Sequence, residues 1–167
     1  MAREVTIMML ALVLLPWTIT ASSMIKCPQD CYCDLDPSGR YYTECNEPRM
    51  EEFKPHDFDP KIEVIIVRNP QNTLTIGPLF SSFKKLETLR FIGANVPAIG
   101  QRSFWGVKTL RTLDLSYNNL TLINQDNFYD QQNLIELNLA GNKIERVPSG
   151  TFSNLRVSLE FVSIGRI

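Results

Sequence analysis

What most constrains this chain is self-similarity at a fixed spacing. Superposing LRTLDLSYNNLTLINQDNFYDQQN (residues 110–133) on LIELNLAGNKIERVPSGTFSNLRV (residues 134–157) aligns Leu110 with Leu134, Leu113 with Leu137, Leu115 with Leu139, Leu120 with Ile144 and Ile123 with Val147. Asn118 falls on Asn142 and Phe128 on Phe152, so the period is 24 residues. One step back lands on Leu86, Leu89, Phe91, Val96, Ile99 and Phe104, and a second on Ile62, Ile65, Val67 and Phe80. A unit this short encloses no core of its own, so stability must come from stacking unit on unit.

Each position in the unit has a physical reason. In Leu113-x-Leu115 the apolar period is two, which places both leucines on one side of a short extended strand and Thr112, Asp114 and Ser116 on the other. Asn118 and Asn142 follow, where the chain turns; an inward amide there can satisfy backbone groups the turn leaves unpaired, including those of the adjacent coil. The later apolar residues and the phenylalanine carry the chain back along the opposite side and fill the interior.

The N-terminal segment sets the compartment. Arg3 supplies a positive start beside Glu4, Ile7 to Trp17 form a nearly unbroken apolar run of 11 residues, and Ala21-Ser22-Ser23 suits cleavage before Met24. That run is too short for a bilayer core of roughly 30 Å, so residues 1–23 read as a signal peptide. No later segment reaches about 18 consecutive apolar residues, so a soluble, secreted product is expected. The 17 basic and 18 acidic residues nearly cancel, which argues against nucleic acid or an anionic membrane as partner.

All four cysteines lie together, as Cys27-Pro28-x-x-Cys31-x-Cys33 and then Cys45. Clustered after an export signal, an even number implies two disulfides, and sequence alone permits three pairings. Four thiolates could instead hold zinc, but the Cys31-x-Cys33 spacing is tighter than a structural zinc knuckle and export favours oxidation. No metal site is expected.

The segments LDLSYNNL and LNLAGNKI, with the period around them, resemble the extracellular leucine-rich-repeat family and its pattern LxxLxLxxNxLxxIxxxxFxxLxx, over about residues 27–157. The cysteine cluster is similar to the N-terminal cap of Slit-type and Nogo-receptor-type members. The resemblance implies an α/β-type solenoid: a horseshoe with a short parallel β-sheet on its concave face, an irregular convex side and a disulfide-bonded cap. It also implies the bridges Cys27–Cys33 and Cys31–Cys45, the second closing a 15-residue loop that shields Ile62, Ile65 and Val67. The expected organisation is signal peptide 1–23, cap 24–61, repeats 62–85, 86–109, 110–133 and 134–157, and a degenerate start of another repeat at 158–167. Pro70 and Ala94 occupy the asparagine position in the first two repeats, Ile76 sits one place late, and Asn72 replaces an apolar residue, so the first repeat is atypical.

Catalytic patterns are not found. His56, the single histidine, lies in Lys54-Pro55-His56-Asp57 with no nucleophile or metal-ligand partner beside it, and reads as a surface residue. There is no phosphate loop, GxSxG elbow, HExxH pair or EF-hand loop, and the carboxylates of Asp114 and Glu136 read as solvated charges on a strand face. The chain is therefore expected to be no enzyme, to need no cofactor and to take no small-molecule substrate. Asn119-Leu120-Thr121 is the one N-x-[ST] glycosylation acceptor; Leu120 within it should be buried, and occupancy stays open.

Outward alternation along the stacked strands predicts a concave binding face of Val64, Ile66, Arg68, Thr88, Arg90, Ile92, Thr112, Asp114, Ser116, Glu136, Asn138 and Ala140. It is apolar and basic near the cap, polar and acidic toward the other end. Val64 and Ile66 could equally be covered by the cap. Substitutions on this face are expected to leave folding nearly unchanged. The resemblance implies an extracellular or cell-surface protein as partner, in adhesion, guidance or receptor-type binding, with a matrix-organising role as the alternative. After Phe152 the register slips: Ser158 stands where leucine belongs, Leu159, Val162 and Ile164 follow one place late, and Ile167 replaces asparagine. That loss of register raises the expectation of a truncated form of a longer protein, one that could carry a membrane anchor.

Overall fold

In the computed structural model, which describes residues 25–50, 52–155 and 161–163, the strands form one seven-stranded sheet in chain order. Its strands are β1 (Cys31–Leu35), β2 (Tyr41–Asn46), β3 (Val64–Arg68), β4 (Thr88–Ile92), β5 (Thr112–Asp114), β6 (Glu136–Asn138) and β7 (Phe161–Ser163). From β2 onward every pairing is parallel, and Ile65, Leu89, Leu113 and Leu137 stand in register, one period apart. Asn138 pairs with Ser163, 25 residues on, so β7 absorbs the slipped register as one extra residue. The signal-peptide reading of 1–23, and residues 156–160 and 164–167 at the slip, lie outside the described residues.

The strands are short because only two alternate side chains per coil need face inward before the chain must turn. Leu113, Leu115, Leu137 and Leu139 are fully buried, as are Phe80, Phe104 and Phe128 from the return side. Burying such a side chain contributes roughly 1.5–3 kcal/mol, and a file of them makes a core that no single coil could enclose. The convex side is irregular, and the described residues there contain 3-10 segments at Pro55–Asp57 and Gln125–Phe128 and no α-helix.

Asn118 holds the turn of one coil to the next. Its amide donates to the carbonyls of Phe91, Leu115 and Ser116 at 2.7, 2.9 and 3.1 Å. Its oxygen accepts from the N–H groups of Ala94 and Val96 at 2.9 and 3.1 Å. The second repeat, with Ala94 in place of asparagine, therefore has its turn satisfied by the repeat that follows. Pro70 is buried in the first repeat, where Asn69 N–H reaches the carbonyl of Ile92 at 2.9 Å.

A second polar file runs along the return side at one repeat position. Ser103 donates to the carbonyl of Ile76 at 3.0 Å, Asn127 to that of Ile99 at 2.9 Å and Thr151 to that of Pro148 at 2.7 Å, all three nearly shut from solvent. Asn124 caps the 3-10 segment by accepting from Asp126 N–H, and its own N–H is taken by the Asn127 side chain at 2.7 Å. Buried backbone groups away from the sheet are thus met by side chains.

The cap joins the sheet directly. β1 and β2 form an antiparallel hairpin with Cys31 opposite Cys45, and β2 adds in parallel to β3. The structure pairs Cys27 with Cys33 and Cys31 with Cys45. The connecting turn is built on Asp36, whose Oδ1 accepts from the N–H groups of Ser38 and Arg40 at 2.9 and 3.0 Å, while Gly39 supplies the positive φ of 79°. Phe53 and Phe58 then close the open end of the core. The Phe53 ring lies 4.8 Å from Phe58, 5.0 Å from Phe80 and 5.5 Å from Phe91, and beneath it Ile62, Ile65 and Val67 have no solvent exposure.

Candidate recognition surface

Side chains directly opposite in a sheet point the same way, so the register defines files across the concave face. One file runs Asp34, Tyr42, Val64, Thr88, Thr112, Glu136; the next Tyr32, Glu44, Ile66, Arg90, Asp114, Asn138; a shorter third Asn46, Arg68, Ile92. The face thus extends across the cap, and Tyr32, Asp34, Tyr42 and Glu44 belong to it. The sequence carried a signal for them. Thr43 and Cys45 are fully buried, and the same period of two that marks the repeats places Tyr42 and Glu44 on the opposite side.

Two members of the expected face are not open. Val64 is only 6% exposed because Tyr42 of the cap and Thr88 flank it in register, so the cap covers this position while leaving Ile66 partly exposed. Ser116 is 2% exposed because β5 ends at Asp114 and the chain has already turned inward. Its N–H donates to Asp114 Oδ1 at 2.9 Å, and its carbonyl accepts from Asn118 and from Gly93 N–H. Ala140 also lies beyond its strand and is half-buried. Arg68, Thr88, Arg90, Ile92, Thr112, Asp114 and Asn138 are half-exposed, and Glu136 is exposed.

The expectation that face side chains hold no backbone geometry fails at two positions. Asp114 ties the Ser116 N–H, and Asn138 repeats the contact one coil later by accepting from Ala140 N–H at 3.1 Å. Both act as Asx-type caps on the strand-to-turn corner.

Charges near the cap are largely paired. Arg68 Nε donates to Glu44 Oε1 at 3.1 Å. Arg40 meets Asp36 at 2.7 Å and approaches Glu87 at 3.7 Å. The Arg40 N–H and, more weakly, its guanidinium hold the Asp36 carboxyl below its ordinary range. Tyr32 donates to Asp34 at 2.6 Å; that bond lowers the Asp34 carboxyl and raises the Tyr32 phenol. At the polar end, Thr112 donates to Glu136 at 3.3 Å.

Elsewhere, His56 is exposed with Nε2 at 3.4 Å from Asp57, and among the described residues no group of histidines, cysteines and carboxylates is placed to hold a metal ion. No described helix is long and apolar enough to cross a membrane. Asn119 is half-buried, bonded to Asn95 at 3.4 Å, with Leu120 fully buried and Thr121 exposed beside it.

One strand per 24-residue coil, a leucine core and an asparagine-held turn define a leucine-rich-repeat solenoid with a disulfide-bonded cap. A leucine-rich-repeat family model matches residues 108–161. Among solved structures, the chain is similar to the leucine-rich-repeat ectodomain of the receptor kinase SOBIR1 from Arabidopsis thaliana, with 20% identity, a TM-score of 0.50, and coverage of 82% of this chain and 79% of that one. At that identity the likeness speaks to the fold. No curated protein matches the chain.

Proposed function

We propose that this chain is an extracellular protein-recognition module, of the adhesion, guidance or receptor type, that binds its partner across the concave face. The observation that carries the reading is the face itself: side chains from β2 to β6 keep contact with solvent although Thr43, Cys45, Ile65, Val67, Leu89, Phe91, Leu113 and Leu137 on the inner side of these strands are sealed. An unspent, continuous sheet face on a rigid scaffold is what a protein partner can use, and the described residues bring together no catalytic constellation. The two disulfides support an oxidising, extracellular setting, and the fold is shared with a receptor ectodomain. On this reading residues 1–23 direct export and Asn119 is open to glycosylation.

The test is capture by the secreted chain on live cells. Ile92→Glu and Glu136→Lys should reduce binding while secretion and thermal unfolding stay normal, since neither side chain holds backbone. Leu113→Ala should instead lower secretion, at a cost of about 2–5 kcal/mol for a buried leucine. Normal binding by both face variants, with loss in the convex variant Asp126→Lys, would overturn the assignment. Asp114 is unsuited to this test because it also caps Ser116.

A further inference from the structure

Between the cap and the first two repeats the concave face sinks into a cavity of about 270 Å³, lined by Tyr42, Val64, Ile66 and Thr88, by Arg90, and by Arg40 with its ion-pair partner Asp36. Three arginines stand at this end of the sheet, and two are committed: Arg68 to Glu44, and Arg40 to Asp36 and Glu87. Arg90 is not. Among the described residues its side chain makes no ion pair or hydrogen bond, and its Nε is shut from solvent without an acceptor. Asp114 is its partner in register on β5, yet that carboxylate is turned to the Ser116 N–H and forms no ion pair with Arg90.

A buried donor left unmet is costly, and a cation held against an apolar wall attracts a carboxylate more strongly than one in open water. Val64 and Ile66 make the floor apolar, and Ile92 continues the apolar surface in the next strand. The cavity therefore offers charge at one side and an apolar surface at the other, within one side chain's reach.

Resting on the concave-face reading, we propose that this cavity is the anchor point for an extended segment of the partner protein, which inserts an Asp or Glu side chain against Arg90 and lays a neighbouring apolar residue on Ile66. The choice of an acidic protein segment follows from charge complementarity: Arg90 is the one arginine of the three left without a carboxylate. Arg40, kept in place by Asp36, adds positive potential at the rim.

The test uses a library of random 12-residue peptides displayed through their C-termini, selected on the secreted chain and then made as amidated synthetic peptides, so that only side-chain carboxylates are present. Selected peptides should share one acidic residue beside an apolar one, and binding should fall at least tenfold on changing that acid to its amide. Arg90→Gln should cause the same loss, with Asp126→Lys leaving binding within twofold. The peptide-side change keeps the test decisive if Arg90→Gln folds poorly. Enrichment of peptides without an acid, equal binding by Arg90→Gln, or no enrichment overturns the proposal. If such peptides bind Arg90→Gln normally but lose binding to Glu136→Lys, the concave-face reading survives without this cavity; if only Asp126→Lys abolishes their binding, both fall.

Discussion

Asn142 donates from its side-chain amide to the carbonyl of Leu115, 27 residues earlier and one coil away, at 2.8 Å, while also donating to Leu139 in its own coil at 2.8 Å. Asn118 repeats this bridge between Leu115 of its own coil and Phe91 of the preceding one. Each asparagine therefore belongs energetically to two repeats. Stability passes along the stack through these amides as well as through the leucine core.

The two asparagines should differ in worth. Asn118 is 4% exposed and makes five hydrogen bonds, whereas Asn142 is half-exposed and makes three. Leaving a buried partner unsatisfied costs about 1–3 kcal/mol. Asn118→Ala should therefore cost about 3 kcal/mol or more and Asn142→Ala about 1–2 kcal/mol by denaturant unfolding. Equal losses would show that solvent does not relieve the outer turn.

The disulfides should rank by loop length. In the chain-entropy view, the Cys31–Cys45 bridge, with a separation of 14, should contribute about 3 kcal/mol, and Cys27–Cys33, with a separation of 6, somewhat less. The larger loop also ties β1 to β2, whose buried side supports β3. Replacing Cys31 and Cys45 together by alanine should lower the thermal midpoint more than replacing Cys27 and Cys33. Unreduced native protein should take up no alkylating reagent.

Much of this fold was legible because a period of 24 repeats the same physical problem four times. The strand leucines, Asn118, Asn142 and the phenylalanines Phe80, Phe104 and Phe128 all sit where that repetition places them. The cap strands were harder to see, because half-cystines interrupt the apolar alternation that would announce β1 and β2. Tyr42 and Glu44 are absent from the expected face for that reason, and at Val64 the sequence leaves an open face and cover by the cap equally weighted, because the cover comes from outside the repeats. Ser103, Asn127 and Thr151 form a real file, but three different residue types conceal the shared task of binding a backbone carbonyl. Ser116 escaped because alternation continues in the sequence past Asp114, where the strand has already ended.

Acid should loosen the cap first. Hydrogen bonds from the Arg40 N–H and guanidinium lower the Asp36 carboxyl in the folded hairpin. A lowered folded value means the stabilisation is present above the unfolded carboxylate value near 4 and is lost as pH falls through the folded one. Asp36→Asn should thus be less stable than the wild-type chain at pH 7, and the gap should narrow toward pH 3. A gap independent of pH would assign the turn's stability to the Asx geometry alone.

Gln131 offers the opposite kind of test, in which removing a polar group should do no harm. It occupies the repeat position filled by Phe83, Val107 and Leu155, and it is 1% exposed. Its Nε2 donates to the carbonyl of Phe104 at 2.7 Å, but its Oε1 is buried with no partner. The Phe104 carbonyl does not depend on it, because Val107 N–H reaches the same oxygen at 3.2 Å. Deleting the amide therefore forfeits one hydrogen bond, worth about 1 kcal/mol net, and relieves a buried acceptor whose cost is about 1–3 kcal/mol. Leucine is close to glutamine in size and already fills this position at 155, so packing should be retained. Gln131→Leu should leave stability unchanged or raise it by about 1 kcal/mol, read from denaturant midpoints at constant slope. A loss above about 1 kcal/mol would show that the Oε1 atom has an acceptor role that the surrounding side chains conceal. Gln131→Ala should cost about 2 kcal/mol or more, because it opens a cavity at a position shut from solvent in place of filling one.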